Sequence, residues 1–245
     1  MNLHTDDISV MLDELGMTQA AIRWNEILDS PEFANYSPQQ LLREVITPQY
    51  VEAMNRRYLT NLRFSGLVNR SARIENLKTG GGRRYNDAQV EQLRTLRFLE
   101  KRMNLGIYGV TGAGKSYFMA AFCDEACRQN YRCRFINYCD LLDELMYLNR
   151  QHDLMKYRKR MNYYSRVQIL CIDDFAISKY PEEGIKVLYQ LIQKRTELER
   201  STLFTCQYEP SEWGRHLCDE PDCFGKLDGI RRRITSGYNI QIEKD

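Results

Sequence analysis

Over the first hundred residues the apolar positions recur at helical spacing, and beyond residue 104 they gather into short runs that alternate with helical stretches. Ile8, Met11, Leu12 and Leu15 form a stripe three and four residues apart that stops at Gly16. Thr18 then stands where a cap opens a second helix carrying Ile22 and Ile27. Ser37-Pro38-Gln39-Gln40 has the form of a capping box with proline in the first helical position. Thr47-Pro48 repeats that start signal, after which Tyr50, Met54, Tyr58 and Leu62 recur every four residues and leave Arg56, Arg57 and Arg63 mostly off that face. These signals predict a small helical N-terminal domain over residues 1–70. Residues 71–104 read as a connector, a loop containing Gly80, Gly81 and Gly82 among basic residues, followed by a helix from Asp87 to Arg102 that leads into the main body.

From Leu105 the period changes. The apolar runs Leu105–Val110, Arg132–Tyr138, Val167–Ile172, Ser201–Thr205 and Tyr238–Ile242 alternate with helical segments. Such alternation predicts an α/β domain over residues 105–245, a parallel five-stranded sheet between helices. Its ligand site is expected beyond the C-terminal ends of the strands, where the connecting loops converge.

Composition narrows the class. The chain has 245 residues, 43% of them apolar, enough for a substantial core without disulfides or a structural metal. No run approaches the ~20 apolar residues of a membrane helix, and Asp6 and Asp7 occupy the place of a basic leader, so a soluble cytoplasmic protein is expected. The eight cysteines contain no C-x-x-C pair and read as reduced thiols. Cys123 and Cys127 lie four apart on a helix, and Cys171 and Cys206 lie inside apolar runs, as small buried hydrophobes do, so structural zinc is not expected. His4, His152 and His216 form no cluster and are assigned no catalytic role. The net charge of +2 conceals blocks: basic against acidic residues number 2 to 8 over residues 1–50, 12 to 5 over 51–105, and 21 to 20 beyond. This asymmetry points weakly to nucleic acid.

The chemistry is concentrated after the first strand. Gly109-Val110-Thr111-Gly112-Ala113-Gly114-Lys115-Ser116 fits the phosphate-loop pattern and stands between an apolar run and a helix from Lys115 to about Gln129. Glycines let the backbone wrap phosphate oxygens, the helix N-terminus stabilises negative charge, Lys115 reaches the β- and γ-phosphates and Ser116 ligates magnesium. Gln168-Ile169-Leu170-Cys171-Ile172-Asp173-Asp174 supplies the acidic partner: Asp173 for the magnesium, Asp174 to orient or deprotonate the attacking water. A further strand separates the loop from Asp174 in sequence, which favours ATPases over nucleotide kinases. The next strand closes on Cys206-Gln207, placing the Gln207 amide where it can touch the γ-phosphate or the water. Arg231, Arg232 and Arg233 form a late basic run of the kind that a neighbouring subunit can offer to a transferring phosphate.

Taken together, the phosphate loop, Ile172-Asp173-Asp174-Phe175, the polar end of the following strand, Ser211-Glu212-Trp213 and the late arginines resemble the IstB family of transposition helper ATPases, which are AAA+ proteins of the initiator type similar to DnaC-type helicase loaders. The resemblance extends to Ser37-Pro38-Gln39-Gln40-Leu41-Leu42 and the Arg-rich helix ending at Leu67, and so spans nearly the whole chain. It implies ATP and Mg2+ as ligands, ATP-dependent homo-oligomerisation, binding of duplex DNA and delivery or stimulation of a DDE-type transposase encoded beside it. Residue by residue it implies Lys115 and Ser116 in the nucleotide loop, Asp173 at the magnesium, Asp174 as catalytic carboxylate, Gln207 as the sensor and Arg233 as a finger acting in trans. Where the family usually has Thr-Ser-Asn this chain has Thr205-Cys206-Gln207, and the terminal Tyr-Arg of many relatives is missing, which points to hydrolysis that is slow or dependent on assembly. A helicase loader of the same fold, and a nucleotide-stabilised DNA scaffold that barely hydrolyses, are the alternative readings. For the DNA contact, Arg150, Lys156, Arg158, Lys159, Arg160 and Arg166 face only Asp153, with Tyr157, Tyr163 and Tyr164 interleaved, in the insertion where initiator-type relatives place a nucleic-acid-facing helix. Cations of this kind grip phosphates without reading bases. The band around Arg56, Arg57, Arg63, Arg70 and Arg73 is a second candidate.

Overall fold

The computed structural model describes residues 7–77, 80, 83–151 and 153–244; Asp6, Gly81, Gly82, His4 and His152 lie outside the described residues. Helix α1 spans Ile8–Glu14, opened by the Asp7 carboxylate, which accepts from the Ser9 amide. Helix α2 spans Thr18–Leu28. Thr18 is not its cap: Met17 holds that position without a side-chain bond, and the Thr18 hydroxyl donates to Asp13 at 2.8 Å. Helix α3 runs Pro38–Ser65. Its capping box is closed in both directions, the Gln40 amide donating to Ser37 Oγ at 3.3 Å and the Ser37 amide to Gln40 Oε1 at 3.0 Å. The second start signal at Thr47-Pro48 is overridden, since Pro48 lies inside this one helix and the Thr47 hydroxyl donates back to the Arg43 carbonyl at 2.7 Å. A lone proline removes one ladder bond, and the flanking turns carry the helix through. The chain divides into two compact units, Met1–Thr60 and Asn61–Asp245. The first has a small core of Ala20, Ile27 and Val45 with Leu12, Trp24 and Leu41 packed on it.

In the second unit a two-residue strand β1 (Arg83–Arg84) precedes α4 (Asp87–Arg94) and α5 (Arg97–Glu100). The single helix expected from Asp87 to Arg102 is thus broken. Leu96, 2% exposed, adopts a left-handed φ of 55° between the two pieces, because burying its side chain requires the chain to turn there. Five parallel strands follow: β2 (Asn104–Tyr108), β3 (Cys133–Asn137), β4 (Ile169–Phe175), β5 (Ser201–Cys206) and β6 (Gly237–Gln241). Their order across the sheet is β3-β4-β5-β2-β6. The loop-bearing strand β2 and the aspartate strand β4 are therefore separated in space by β5. A last strand, β7 (Glu243–Lys244), pairs antiparallel with β1.

Helices α6 (Lys115–Arg128), α7 (Tyr138–Arg150), α8 (Leu154–Arg166), α9 (Glu182–Glu197), α10 (Trp213–Leu217) and α11 (Phe224–Ile234) surround the sheet. Alternation along β4 divides its side chains between the two faces. Leu170 and Ile172 join a core with Leu141 and Leu145 of α7, Leu188 and Leu191 of α9 and Ile230 of α11. Cys171 faces the other way and meets Cys123 of α6. The Sγ atoms of Cys123, Cys127 and Cys133 lie within 4.8 Å of one another and are buried, a gathering the linear spacing did not announce. Hydrogen bonds to Cys123 and Cys127, then burial, hold the Cys133 thiol well above its ordinary range. Trp213 fills the far end of the core, 1% exposed, its ring 4.8 Å from that of Phe175. Among the described residues no helix is long and apolar enough to cross a membrane.

Candidate nucleotide site

The phosphate loop leaves β2 at Tyr108 and enters α6 at Lys115. Gly109, Gly112 and Gly114 have φ of 150°, 77° and 92°, values that side-chain-bearing residues rarely adopt, so glycine is required by the path itself. A Cβ on Gly109 would also lie 2.3 Å from the Ile242 carbonyl oxygen. Lys115 is 5% exposed and its ammonium donates to the Val110 carbonyl at 3.1 Å, across the mouth of the loop. Burial pulls its pKa down, with Asp174, Cys206 and Asp173 acting against that.

One residue into the helix, the Ser116 hydroxyl donates to Asp173 Oδ1 at 3.0 Å. The same oxygen accepts from Thr205 Oγ1 at 2.6 Å, and Thr205 Oγ1 in turn accepts from the Asp174 amide at 2.8 Å. Thr205 is fully buried, so a single β5 hydroxyl fixes both aspartates of β4. The sequence pattern did not single Thr205 out; the available signal was a hydroxyl that follows Leu203-Phe204, one residue from the end of the strand. Asp174 has a left-handed φ of 53°, and the β4–β5 register shifts between Ile172 and Phe175. The strand is therefore irregular at its two aspartates. Burial first, then the neighbouring Asp173 charge, raise the Asp174 pKa, with Lys115 opposing. Gln207 Oε1 accepts from the Thr111 hydroxyl at 2.8 Å, which brings the amide to the loop.

Lys115, Ser116, Asp173, Asp174 and Gln207 thus converge at the C-terminal edge of the sheet. Hydroxyl and carboxylate oxygens are the hard donors that suit Mg2+, and Ser116 and Asp173 present them side by side. Arg233 stands elsewhere. It occupies the last turn of α11, its guanidinium donating to the Gly229 carbonyl at 2.9 Å and lying 5.3 Å from the Tyr189 ring centre. Its own carbonyl accepts from Asn104 at 2.8 Å, at the N-terminal end of β2 and so at the opposite edge from the phosphate loop. Arg231 and Arg232 both pair with Asp228.

The six basic residues of the insertion are not equivalent. Arg150 pairs with Glu183 at 3.0 Å, Lys156 with its own helix cap Asp153 at 2.9 Å, and Arg160 with Glu144. Tyr164 is buried and also bonds Glu144. Arg158, Lys159 and Arg166 are exposed on α8 and have no ion pair among the described residues. In the N-terminal band, Arg56 pairs with Glu52 at 2.7 Å and Arg73 with Asp124 at 3.5 Å.

A family model described as IstB-like ATP binding protein matches residues 10–232. The chain belongs to the IstB-like ATP-binding family. Among curated relatives, a Sinorhizobium fredii protein described as an insertion sequence ATP-binding protein is 24% identical over 232 residues, covering 95% of this chain and 90% of that one. An insertion sequence ATP-binding protein of Geobacillus stearothermophilus is 24% identical over 210 residues, covering 86% and 82%. Of solved structures, DnaI superposes with a TM-score of 0.57 at 24% identity, covering 70% of this chain and 90% of that one. The DnaC helicase loader gives 0.55 at 18%, covering 71% and 97%. DnaA bound to AMPPCP and single-stranded DNA gives 0.57 at 21%, covering 72% of this chain and 51% of that one, so the chain spans about half of DnaA. The IstB-like chain accordingly has the AAA+ phosphate-loop fold, with the parallel sheet expected from its apolar runs.

Proposed function

We propose that this chain is an ATPase that regulates DNA transposition: it assembles with itself on duplex DNA, holds ATP between subunits and recruits or stimulates a DDE-type transposase. The observation that carries the reading is the division of the catalytic groups. Phosphate loop and aspartates stand at one edge of the sheet and Arg233 at the other, joined by β2. Four residue steps of ~3.3 Å each part the two ends of that strand, more than an arginine folded back on Gly229 and Tyr189 spans. Arg233 therefore serves the site of a neighbour.

In that assembly Lys115 neutralises the β- and γ-phosphates, and Ser116 and Asp173 hold the magnesium. Bound there, Mg2+ supplies charge neutralisation on the phosphate oxygens. Asp174, whose raised pKa reflects a desolvated carboxylate, orients and deprotonates the attacking water. Gln207 positions the terminal phosphate or that water. The DNA face is carried by Arg158, Lys159 and Arg166, the unpaired cations of α8, with Arg132 beside Arg166 at the rim of a 430 Å3 depression. Charges of this kind give salt-dependent binding with little sequence preference.

The test is subunit mixing. Lys115→Ala and Arg233→Ala chains are each expected to be inactive in ATP hydrolysis with DNA present, and a mixture is expected to regain activity, because some interfaces then pair an intact loop with an intact arginine. A mixture no more active than its parts, with Arg233→Ala alone turning over at the parental rate, refutes the trans site.

A further inference from the structure

The phosphate loop has a second wall that its own motif does not supply. Strands β1 and β7 lie 160 positions apart in sequence (Arg84 to Lys244) and pair in register, Arg83 opposite Lys244 and Arg84 opposite Glu243. Successive strand residues point to opposite faces. On one face Arg84 meets Glu243 at 3.8 Å, an attractive pair. On the other face two cations, Arg83 and Lys244, stand directly opposite one another, an arrangement that destabilises a ladder. Among the described residues neither is ion-paired, and both are exposed.

That doubly positive face is turned to the phosphate loop. A Cβ on Gly114 would lie 3.0 Å from Arg83 Cζ and 3.2 Å from its Nε, and one on Gly112 would lie 3.5 Å from Lys244 Nζ. With Ile242 against Gly109, each of the three loop glycines is met by a residue of this ladder or of the segment leading into it. The Ile242 amide donates to the Tyr108 carbonyl at 2.8 Å, which fixes the ladder to the strand that carries the loop. Two like charges held over amides that themselves favour an anion form an arrangement completed by polyphosphate.

We propose that Arg83 and Lys244 form a phosphate clamp: they bind the polyphosphate of the nucleotide, and the bound anion, by relieving their repulsion, stabilises the β1–β7 ladder. The clamp rests on the ATP-binding reading above. It makes nucleotide occupancy visible at the junction between the connector and the C-terminal strand, and it provides cationic contacts to the phosphates from within the subunit.

The test uses the full chain, Mg-ATP and inorganic tripolyphosphate as probes. Arg83→Ala and Lys244→Ala should each weaken ATP by about tenfold, and the double variant by on the order of a hundredfold, given the strength of charge-assisted hydrogen bonds to phosphate. Tripolyphosphate should lose affinity in parallel, whereas Arg83→Lys and Lys244→Arg should stay within a few-fold of the parent. In hydrogen exchange, ATP should protect the ladder amides of the parent and not those of the double variant. A double variant that melts like the parent and binds ATP within twofold of it, while Lys115→Ala does not bind, overturns the clamp and leaves the ATP reading intact. A parent that binds no ATP overturns the ATP reading itself.

Discussion

Replacing Thr205 by valine keeps the shape of the side chain and removes the one hydroxyl that ties both aspartates to β5. Two hydrogen bonds disappear. That to the Asp173 carboxylate, 2.6 Å long, is charge-assisted and contributes about 2 kcal/mol. That from the Asp174 amide, 2.8 Å, contributes about 1 kcal/mol, and its loss leaves a half-buried N–H without a partner. Against this stands about 1 kcal/mol from burying a methyl group in place of a hydroxyl at a fully buried position. The net expectation is a loss of about 2 kcal/mol in the unfolding free energy of the nucleotide-free chain. A purely structural residue would do no more. Because Thr205 orients the carboxylate beside Ser116, its loss should also raise the Mg2+ concentration needed for ATP binding, by roughly 10- to 100-fold, the usual effect of removing a partner that orients a metal ligand. Thr205→Ser retains the hydroxyl and should restore the Mg2+ requirement. Denaturant unfolding followed at an aromatic signal, with ATP titrations at stepped Mg2+, measures both effects. A valine variant with the parental Mg2+ requirement refutes the positioning role, whatever its stability.

Asp174→Asn should stop hydrolysis while leaving ATP binding in place. Because burial raises the Asp174 pKa, its ionised form is disfavoured in the folded chain, so the penalty is complete above the folded pKa and fades as pH falls into the carboxylate range. The asparagine variant should therefore melt higher than the parent at neutral pH, with the gain shrinking on acidification; equal midpoints at neutral pH would contradict the assignment. Arg195→Leu removes a guanidinium, 1% exposed, that donates to Thr202 Oγ1 and to the carbonyls of Tyr164, Val167 and Ser201 at 2.9, 2.6, 3.0 and 2.5 Å. Burial pulls its pKa down to about 9, so deletion relieves desolvation, yet four orphaned acceptors outweigh that relief and a net loss of about 3 kcal/mol is expected. An unchanged denaturation midpoint would show that the acceptors find other partners.

The sheet was legible in the sequence because its strands are apolar runs bounded by glycine and polar residues, and the structure places all five of them within a few residues of the expected limits. Lys115 and Ser116 were legible for a different reason: a phosphate loop is a local arrangement, and its residue types are dictated within eight consecutive positions, while Asp173 was legible as the acidic end of an apolar run. Long-range features were not. Thr205 acquires its role only when β5 lies beside β4, and the ladder of Arg83–Arg84 with Glu243–Lys244 joins residues that no local periodicity relates. Helix limits failed where tertiary burial overrode local signals, as at Leu96, or where a start signal fell inside a longer helix, as at Pro48. The charge run after Arg150 was read as six equivalent cations because their partners, Glu144 and Glu183, lie on other helices.

Asn104 has a consequence for the geometry of any stack of these subunits. Its amide donates to the Arg233 carbonyl and its oxygen accepts from the Thr202 amide, each at 2.8 Å, so one side chain fastens the end of α11 to two neighbouring strands. From that point β2 runs, hydrogen-bonded on both sides, straight to the phosphate loop. Arg233 and the phosphate loop thus stand at the two ends of one stiff ruler. If subunits join arginine to pocket as proposed, the distance between those two groups within each subunit is set by a five-residue strand and not by the length or composition of a surface loop.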